Sequence, residues 1–444
     1  MPEGTKRVIN RLESMHALRA VIDDAYTKAV EASKSGNPVV WSMSDYWEAA
    51  PILKIMGVAA VYPENYGAMC AAFGVAPTYL ELSGVEGFPD HICGYARNCL
   101  GYSSRMMELG GIPPEAPGGG MAKPTFLIGS TGLCDSRFKW FQALGKYWDA
   151  PLWVFEIPHP GNREFLMEGA YENNVRLMVE NLKGFIDFLE HLLGKKMDWD
   201  KLDEMVNDHI ELNRIWYEIN ELRKAIPGPM HSRDFWTCMT VSLFSLGDYK
   251  VTLGLHRKLY DEVKYRVDNK IGAVPEEKYR MLFTELPPWH SLGFFDKLAE
   301  RGWNFVFESW AYHPPKPQDL SMVRDPLERI ARHTLNFFTG YHKEAVAARD
   351  MIGYFSYPYQ EYVRDNKIDG AMLHSLLTCR AGSTGLPSIQ DTLLKKLKVP
   401  SLIVSGDIVD LTLFDPADTL RKAEAFEQTM DYYRAVRREE GFDW

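Results

Sequence analysis

Three cysteines sit where a thiolate can bind iron or another metal. Cys134 lies in the stretch PTFLIGSTGLCDSRF, residues 124–138. Residues 125–128 are apolar and partly β-branched. They follow a Pro- and Gly-rich loop and end at Gly129, the pattern of a buried strand in a parallel sheet. Asp135 is a candidate helix cap, with Lys139, Trp140, Phe141 and Leu144 continuing the helix. Cys134 is therefore expected at a strand-to-helix junction, the edge where open α/β sheets bind ligands. The free N–H groups of a helix start favour a thiolate there and suit it to ligate a metal or an iron–sulfur cluster. An inert, buried thiol is the competing reading. Cys93 follows Pro89-Asp90 and opens a helix expected to run through Met106 and Leu109. Cys99 lies six residues on, about 600° around a regular helix and so roughly 120° away from Cys93. The two do not point at one metal. Cys93 is the better ligand and Cys99 is expected to pack. Cys379 is delivered by the strand expected over residues 370–377.

The elements that must position these thiols follow a strand–helix–strand rhythm. Strands are expected at 38–43, 57–63, 125–128 and 152–155, and again at 279–283, 304–308, 370–377 and 399–404. The rhythm argues for parallel, doubly wound sheets. The fold class expected is α/β. An N-terminal helical arm (1–36) precedes a first α/β domain (37–165). A helical connecting segment (166–277) leads to a second α/β domain (278–444), and both domains are Rossmann- or flavodoxin-like. In the arm, Val8, Leu12, Leu18, Val21, Ile22 and Ala25 recur at helical spacing. In the connecting segment, Met178, Leu182, Phe185, Leu189 and Leu192 form an apolar stripe. Asp198 or Asp200 is expected to cap the next helix, and Pro227-Gly228-Pro229 to end that helical run. Each α/β half thus places a cysteine after a strand.

A length of 444 residues asks for two or three domains. The net charge of −10 argues against nucleic acid as a partner. The opening MPEGTKRVINRLESMH has no apolar signal-peptide core, and no stretch reaches the length of a membrane span. A cytoplasmic location is expected. The six cysteines are then expected to serve metal binding, catalysis or packing rather than disulfides.

Taken in order, HICGYAR, GSTGLCDSR, HSLLTCR and KVPSLIVSGDIVD, followed by the helix of Glu424, Ala425 and Phe426, resemble the benzoyl-CoA reductase and 2-hydroxyacyl-CoA dehydratase family. The resemblance extends over nearly the whole chain. The length and the CGYARNCLGY stretch look most like the larger cluster-binding subunit of an ATP-dependent (class I) benzoyl-CoA reductase. It implies a [4Fe-4S] cluster held by Cys93, Cys134 and Cys379, which are 41 and 245 residues apart. That differs from the compact Cys-x-x-Cys runs of ferredoxins. Where a typical member has an acidic residue before the last Gly-Asp, this chain has Ser405.

The resemblance also implies a mechanism and partners. Thioester carbonyls and aromatic rings accept electrons poorly, so the cofactor must carry the chemistry. A separate ATP-hydrolysing activator, fed by ferredoxin, would pass single electrons to the cluster. ATP would not be bound here, and no Gly-x-x-x-x-Gly-Lys-[Ser/Thr] loop is present. A ketyl-type radical anion of an aromatic acyl-CoA would be reduced to a cyclic dienoyl-CoA. In a dehydratase the same radical would expel a 2-hydroxyl group. A homologous, smaller cluster-binding subunit would complete the enzyme.

Proton donors are sought at the same sheet edge. Ser42, Ser44 and Glu48 follow the first strand, although Ser44 and Glu48 equally suit a helix start. His91 and His374 neighbour the cysteines and could tune the cluster or donate a proton, with a hydrogen-bonded structural role as the alternative for each. Asp407 and Asp410 are candidates to orient loops or line a pocket. A zinc site of Cys93, Cys134, Cys379 and His91 is the rival from outside the family, since three sulfurs and an imidazole suit zinc.

Overall fold

A computed structural model describes residues 8–43, 49–132, 134–158, 167–309, 312–314, 316–339 and 353–444. Eight strands form two sheets of four. The first sheet holds β1 (Val39–Ser42), β2 (Ala59–Val61), β3 (Phe126–Ser130) and β4 (Leu152–Phe155). The second holds β5 (Tyr279–Thr284), β6 (Trp303–Glu308), β7 (Gly370–Leu376) and β8 (Ser401–Gly406). Every pairing is parallel. The orders are β2-β1-β3-β4 and β6-β5-β7-β8. The chain is therefore α/β with two doubly wound sheets, as expected. β1, β3, β5 and β6 are buried at every position, which is why they read as continuous apolar runs rather than as alternation. In each sheet the order in which strands are added reverses between the first and third strands, all of which run the same way. The crevice outside the carboxyl ends of β1 and β3, and of β5 and β7, is where such sheets bind ligands.

The helices explain how Cys93 reaches that edge. α1 (Ser14–Lys34) buries Leu18, Ile22, Tyr26 and Ala29 along one stripe. α2 (Ala49–Met56) links β1 to β2. Between β2 and β3 come α3 (Pro63–Ala72), α4 (Ala76–Val85) and α5 (Gly94–Leu109), and Cys93 begins the last of these. α3 and α4 have no apolar stripe. α3 is buried on almost every face, so periodicity gave no warning of it. α6 (Asp135–Trp148) follows β3.

The helical layer consists of α7 (Ala170–Leu193), α8 (Trp199–Leu222), α9 (Ser232–Leu243) and α10 (Tyr249–Asp268). It continues beyond Pro229, where the run was expected to stop. Asp198 caps α8 by accepting from the Lys201 N–H. The second sheet carries α11 (Phe294–Ala299), α12 (Pro326–Thr339), α13 (Gly353–Asp365), α14 (Arg380–Thr384), α15 (Leu386–Leu397) and α16 (Pro416–Glu439). One apolar core runs from Leu18 through Leu127 of the first sheet to Phe283 of the second, and a smaller one lies under α15. Among the described residues no single helix is long and apolar enough to cross a membrane.

Candidate iron–sulfur site

Cys93, Cys134 and Cys379 each occupy the residue that starts a helix. Cys93 precedes α5, Cys134 precedes α6 and Cys379 precedes α14. Two of the sulfurs already receive backbone N–H groups from the first turn. The Ala96 amide donates to Cys93 and the Gly382 amide to Cys379, the latter at 3.3 Å. These amides and the helix ends behind them favour negative charge on sulfur. The three thiols also feel one another across the two halves. Burial pushes the Cys93 thiol well above its usual range, and neighbouring Cys379 and Cys134 push it further. Burial, then Glu285 and Cys134, push Cys379 up to about 12, against the pull of the Gly382 amide. All three are half-buried, whereas Cys70, Cys99 and Cys238 are fully buried. Cys99 packs, as its place on α5 predicted. All six cysteines are free thiols.

A network of hydrogen bonds fixes Cys93 against the second half. The Gly94 N–H donates to Thr378 Oγ1 at 3.3 Å, next to Cys379. The Thr378 hydroxyl donates in turn to Asp407, which follows β8. Asp407 Oδ1 accepts from the Val409 and Asp410 amides, both at 2.8 Å. Arg97 on α5 donates to Asp410 at 3.2 Å and to the Asp90 carbonyl at 3.2 Å. Asp407 and Asp410 therefore orient loops. A Cβ on Gly94 would stand 2.5 Å from Asp407 Oδ1, so only glycine permits this approach. At the rim, Arg380 pairs with Asp135 at 2.6 Å, joining the residues that follow Cys379 and Cys134.

The other expected residues are placed less closely. Ser42 ends β1 and is buried, its hydroxyl donating to the Met43 carbonyl at 3.2 Å. Ser44 and Glu48 lie outside the described residues. His91 is exposed on the turn before Cys93. His374 is buried within β7, with Nδ1 against the Leu286 carbonyl at 2.8 Å and its ring between Phe283 and Phe414. Among the described residues no three His, Cys, Asp or Glu side chains converge as one metal ion requires. A cluster is ligated through several irons, so its thiols need not meet at a point. The donor set suits iron–sulfur ligation: three thiols, half-buried, each at a helix start.

Several neighbours escaped sequence reasoning. Glu64, in the first turn of α3, and Arg137, three residues past Cys134, form a buried two-pronged ion pair at 2.5 and 2.8 Å. Trp289 donates to the Tyr95 hydroxyl at 2.6 Å, next to Cys93. Glu285 follows β5, and burial pushes its carboxyl up to about 7 against the hydroxyls of Ser309 and Tyr312. Nothing local in sequence marks these partners, which lie 73 residues apart in the first pair and 194 in the second.

Comparison with known proteins shows the family. The family described as 2-hydroxyglutaryl-CoA dehydratase, D-component, matches residues 50–429. The alpha subunit of (R)-phenyllactyl-CoA dehydratase from Clostridium sporogenes is 24% identical over 434 residues, covering 97% of this chain and 98% of the relative. The alpha subunit of (R)-2-hydroxyisocaproyl-CoA dehydratase from Clostridioides difficile is 25% identical over 95% of this chain and 98% of its own length. One of the subunits of benzoyl-CoA reductase from Thauera aromatica is 24% identical over 79% of each chain. With the match taking in all three cysteines and most of both α/β halves, the chain belongs to the 2-hydroxyglutaryl-CoA dehydratase D-component family, and it is similar in sequence to dehydratase alpha subunits and to a benzoyl-CoA reductase component.

Proposed function

We propose that this chain is the iron–sulfur subunit of an enzyme acting on acyl-CoA thioesters, with Cys93, Cys134 and Cys379 holding a [4Fe-4S] cluster. One observation supports the reading: three helix-starting thiols, drawn from both halves, lie near enough that Cys379 and Cys134 raise the Cys93 thiol. When bound, the cluster supplies low-potential single electrons to the thioester carbonyl. The protein's share is positional. The Thr378–Asp407 link holds α5 against β7, so that Cys93 stays in register with Cys379. The Ala96 and Gly382 amides spread negative charge away from sulfur. The Trp289 indole N–H, donating to the Tyr95 hydroxyl, ties the start of α5 to the loop after β5.

Removal of water from a 2-hydroxyacyl-CoA is the reaction we put first, because the dehydratase alpha subunits align over almost the full chain. Reduction of an aromatic acyl-CoA ring is the second reading, supported by the match to the benzoyl-CoA reductase of Thauera aromatica. Either reaction needs partners by this reading: a homologous second subunit and an ATP-hydrolysing activator with a ferredoxin-type donor.

The test is iron, zinc and acid-labile sulfide per chain, on protein purified without oxygen. About four irons and four sulfides support the reading. Zinc without sulfide overturns it. With the activator present, turnover of (R)-2-hydroxyisocaproyl-CoA against benzoyl-CoA separates elimination from reduction.

A further inference from the structure

Among the described residues, the carboxylates buried or half-buried around the crevice have their charge answered in all but one case; Asp410, for one, meets Arg97. Glu64 is gripped by Arg137 and Glu308 by Arg223, each through two oxygens. Asp407 accepts from two backbone amides and the Thr378 hydroxyl. Glu285 is different. Among the described residues no arginine or lysine pairs with it, and only hydroxyls meet its carboxyl group. Its own N–H donates to Ser309 Oγ at 2.6 Å, and Ser309 Oγ donates to Oε1 at 3.3 Å. Tyr359 donates to the same Ser309 oxygen at 3.1 Å, which uses both acceptor sites of that hydroxyl and fixes its proton toward Glu285. The Tyr312 hydroxyl supplies the second donor.

The backbone of Glu285 adds to the case. Its φ is +62°, a left-handed conformation uncommon for a long side chain. Residues held this way cluster at functional sites. The position is the end of β5, at the point where the strand order of the second sheet reverses. The carboxyl lies over Gly382, whose amide holds Cys379. A Cβ on Gly382 would come within 3.0 Å of Glu285 Oε2. Glu285, Tyr312 and the three thiols are all half-buried as residues and border the same crevice. A carboxylate has about four lone-pair sites, and the described residues fill two of them.

We propose that Glu285 is a substrate-contacting residue whose carboxyl group accepts a hydrogen bond from a hydroxyl group on the acyl part of the thioester, beside Cys379. The inference rests on the acyl-CoA reading above. The thioester group itself offers only acceptors, so a carboxylate near it asks for a donor elsewhere on the ligand. A hydroxyl on the acyl chain is one source and the amides of the pantetheine arm are another.

The experiment separates them. Dissociation constants of (R)-2-hydroxyisocaproyl-CoA and of isocaproyl-CoA, which lacks the hydroxyl, are measured at about pH 8.5, where the Glu285 carboxyl is ionised, on the oxidised, non-turning complex of this chain with its partner subunit. Wild type, Glu285→Gln and Glu285→Leu are compared, with iron per chain as the check on integrity. Wild type is expected to prefer the hydroxylated thioester about tenfold or more, the scale of a hydrogen bond to a charged group. Glu285→Leu is expected to reduce that preference to about twofold or less, with affinity for isocaproyl-CoA and iron unchanged. Glu285→Gln, nearly the same shape, falls between and keeps the test open if the Leu variant loses iron. An unchanged preference in both variants overturns the proposal. Equal weakening of both thioesters also overturns it and points to the pantetheine amides. Binding of neither thioester to wild type overturns the acyl-CoA reading and this inference with it.

Discussion

The two halves of the molecule repeat one topology and use it unequally. Each sheet runs second-first-third-fourth, and each places a cysteine just past its third strand, Cys134 after β3 and Cys379 after β7. There the likeness stops. The first half adds α3, α4 and α5 between its second and third strands and so brings in Cys93. The second half adds α12 and α13 at the same point, and neither carries a cysteine. Where β1 leads into Met43, β5 leads into Glu285. The first half therefore supplies two thiols and the second supplies one thiol, the Asp407 brace and a carboxyl group. A parallel sheet yields one ligand position per copy from its topology. On the proposed reading, the third ligand and any specificity come from what is inserted between strands.

The sharpest way to break this comparison is at the paired cysteines. If Cys134 and Cys379 are equivalent positions, Cys134→Ser and Cys379→Ser each lower iron and sulfide to about a tenth of wild type or less, as does Cys93→Ser, while Cys99→Ser retains both. Full iron in either of the first two variants would sink the ligand assignment.

A second test weighs the charge pairs. Glu308 is fully buried. Burial alone would raise its carboxyl, but Arg223 and His313 overcome that and hold it at about 2. Glu308→Ala leaves Arg223 buried without a counter-charge, which is expected to cost about 3–5 kcal/mol in urea unfolding. The loss should concentrate in β5–β8, read by hydrogen exchange. A loss below 1 kcal/mol would mean that Arg223 finds water or another acceptor.

Acid sharpens the same contrast with a somewhat smaller effect. His333 on α12 and His374 in β7 are kept neutral by burial, their pKa lowered from 6.5 to about 4. The described histidines of the arm and the first half, His16 and His91, are exposed. Below pH 6.5 the unfolded chain takes up protons that the folded rings refuse until about pH 4, so stability falls as pH drops through that window. The slope is up to about 1.4 kcal/mol per pH unit for each ring. Glu285 opposes this. Its carboxyl, raised from 4.5 to about 7, holds a proton in the folded state between those values and contributes stability as pH falls. One carboxyl against these rings, with His290 and His313 also lowered by burial, leaves a net loss. Amides of β5–β8 should lose protection before those of β1–β4 when pH goes from 7 to 5. Simultaneous loss would show that the halves unfold as one unit.

Much of the scaffold was legible in sequence. All eight strands announced themselves as short apolar runs bounded by turn residues, because both faces of each sheet are largely covered. Cys134 and Cys379 could be read as strand-end thiols from their neighbours alone. α3 could not be read, since a helix buried all round has no stripe. Glu64–Arg137 and Gly94–Thr378 were equally hidden. Their partners stand 73 and 284 residues apart, and no local pattern encodes such a meeting. Glu285 has the least signal of all. Its significance lies in having hydroxyls rather than an arginine or lysine as its partners among the described residues.

The ligands also have a mechanical consequence. Cys134 and Cys379 are 245 residues apart, and Cys93 and Cys379 are separated by still more of the chain. Any group that bonds all of them ties the two sheets together like a rivet through two plates. Closing a loop that long restrains the unfolded chain more than closing a short one, though only logarithmically. Loss of the rivet would leave the plates joined by their shared apolar core, the Thr378 link and the rim pair of Arg380 and Asp135. The same bonds that would carry electrons would then also set how firmly the crevice is held shut.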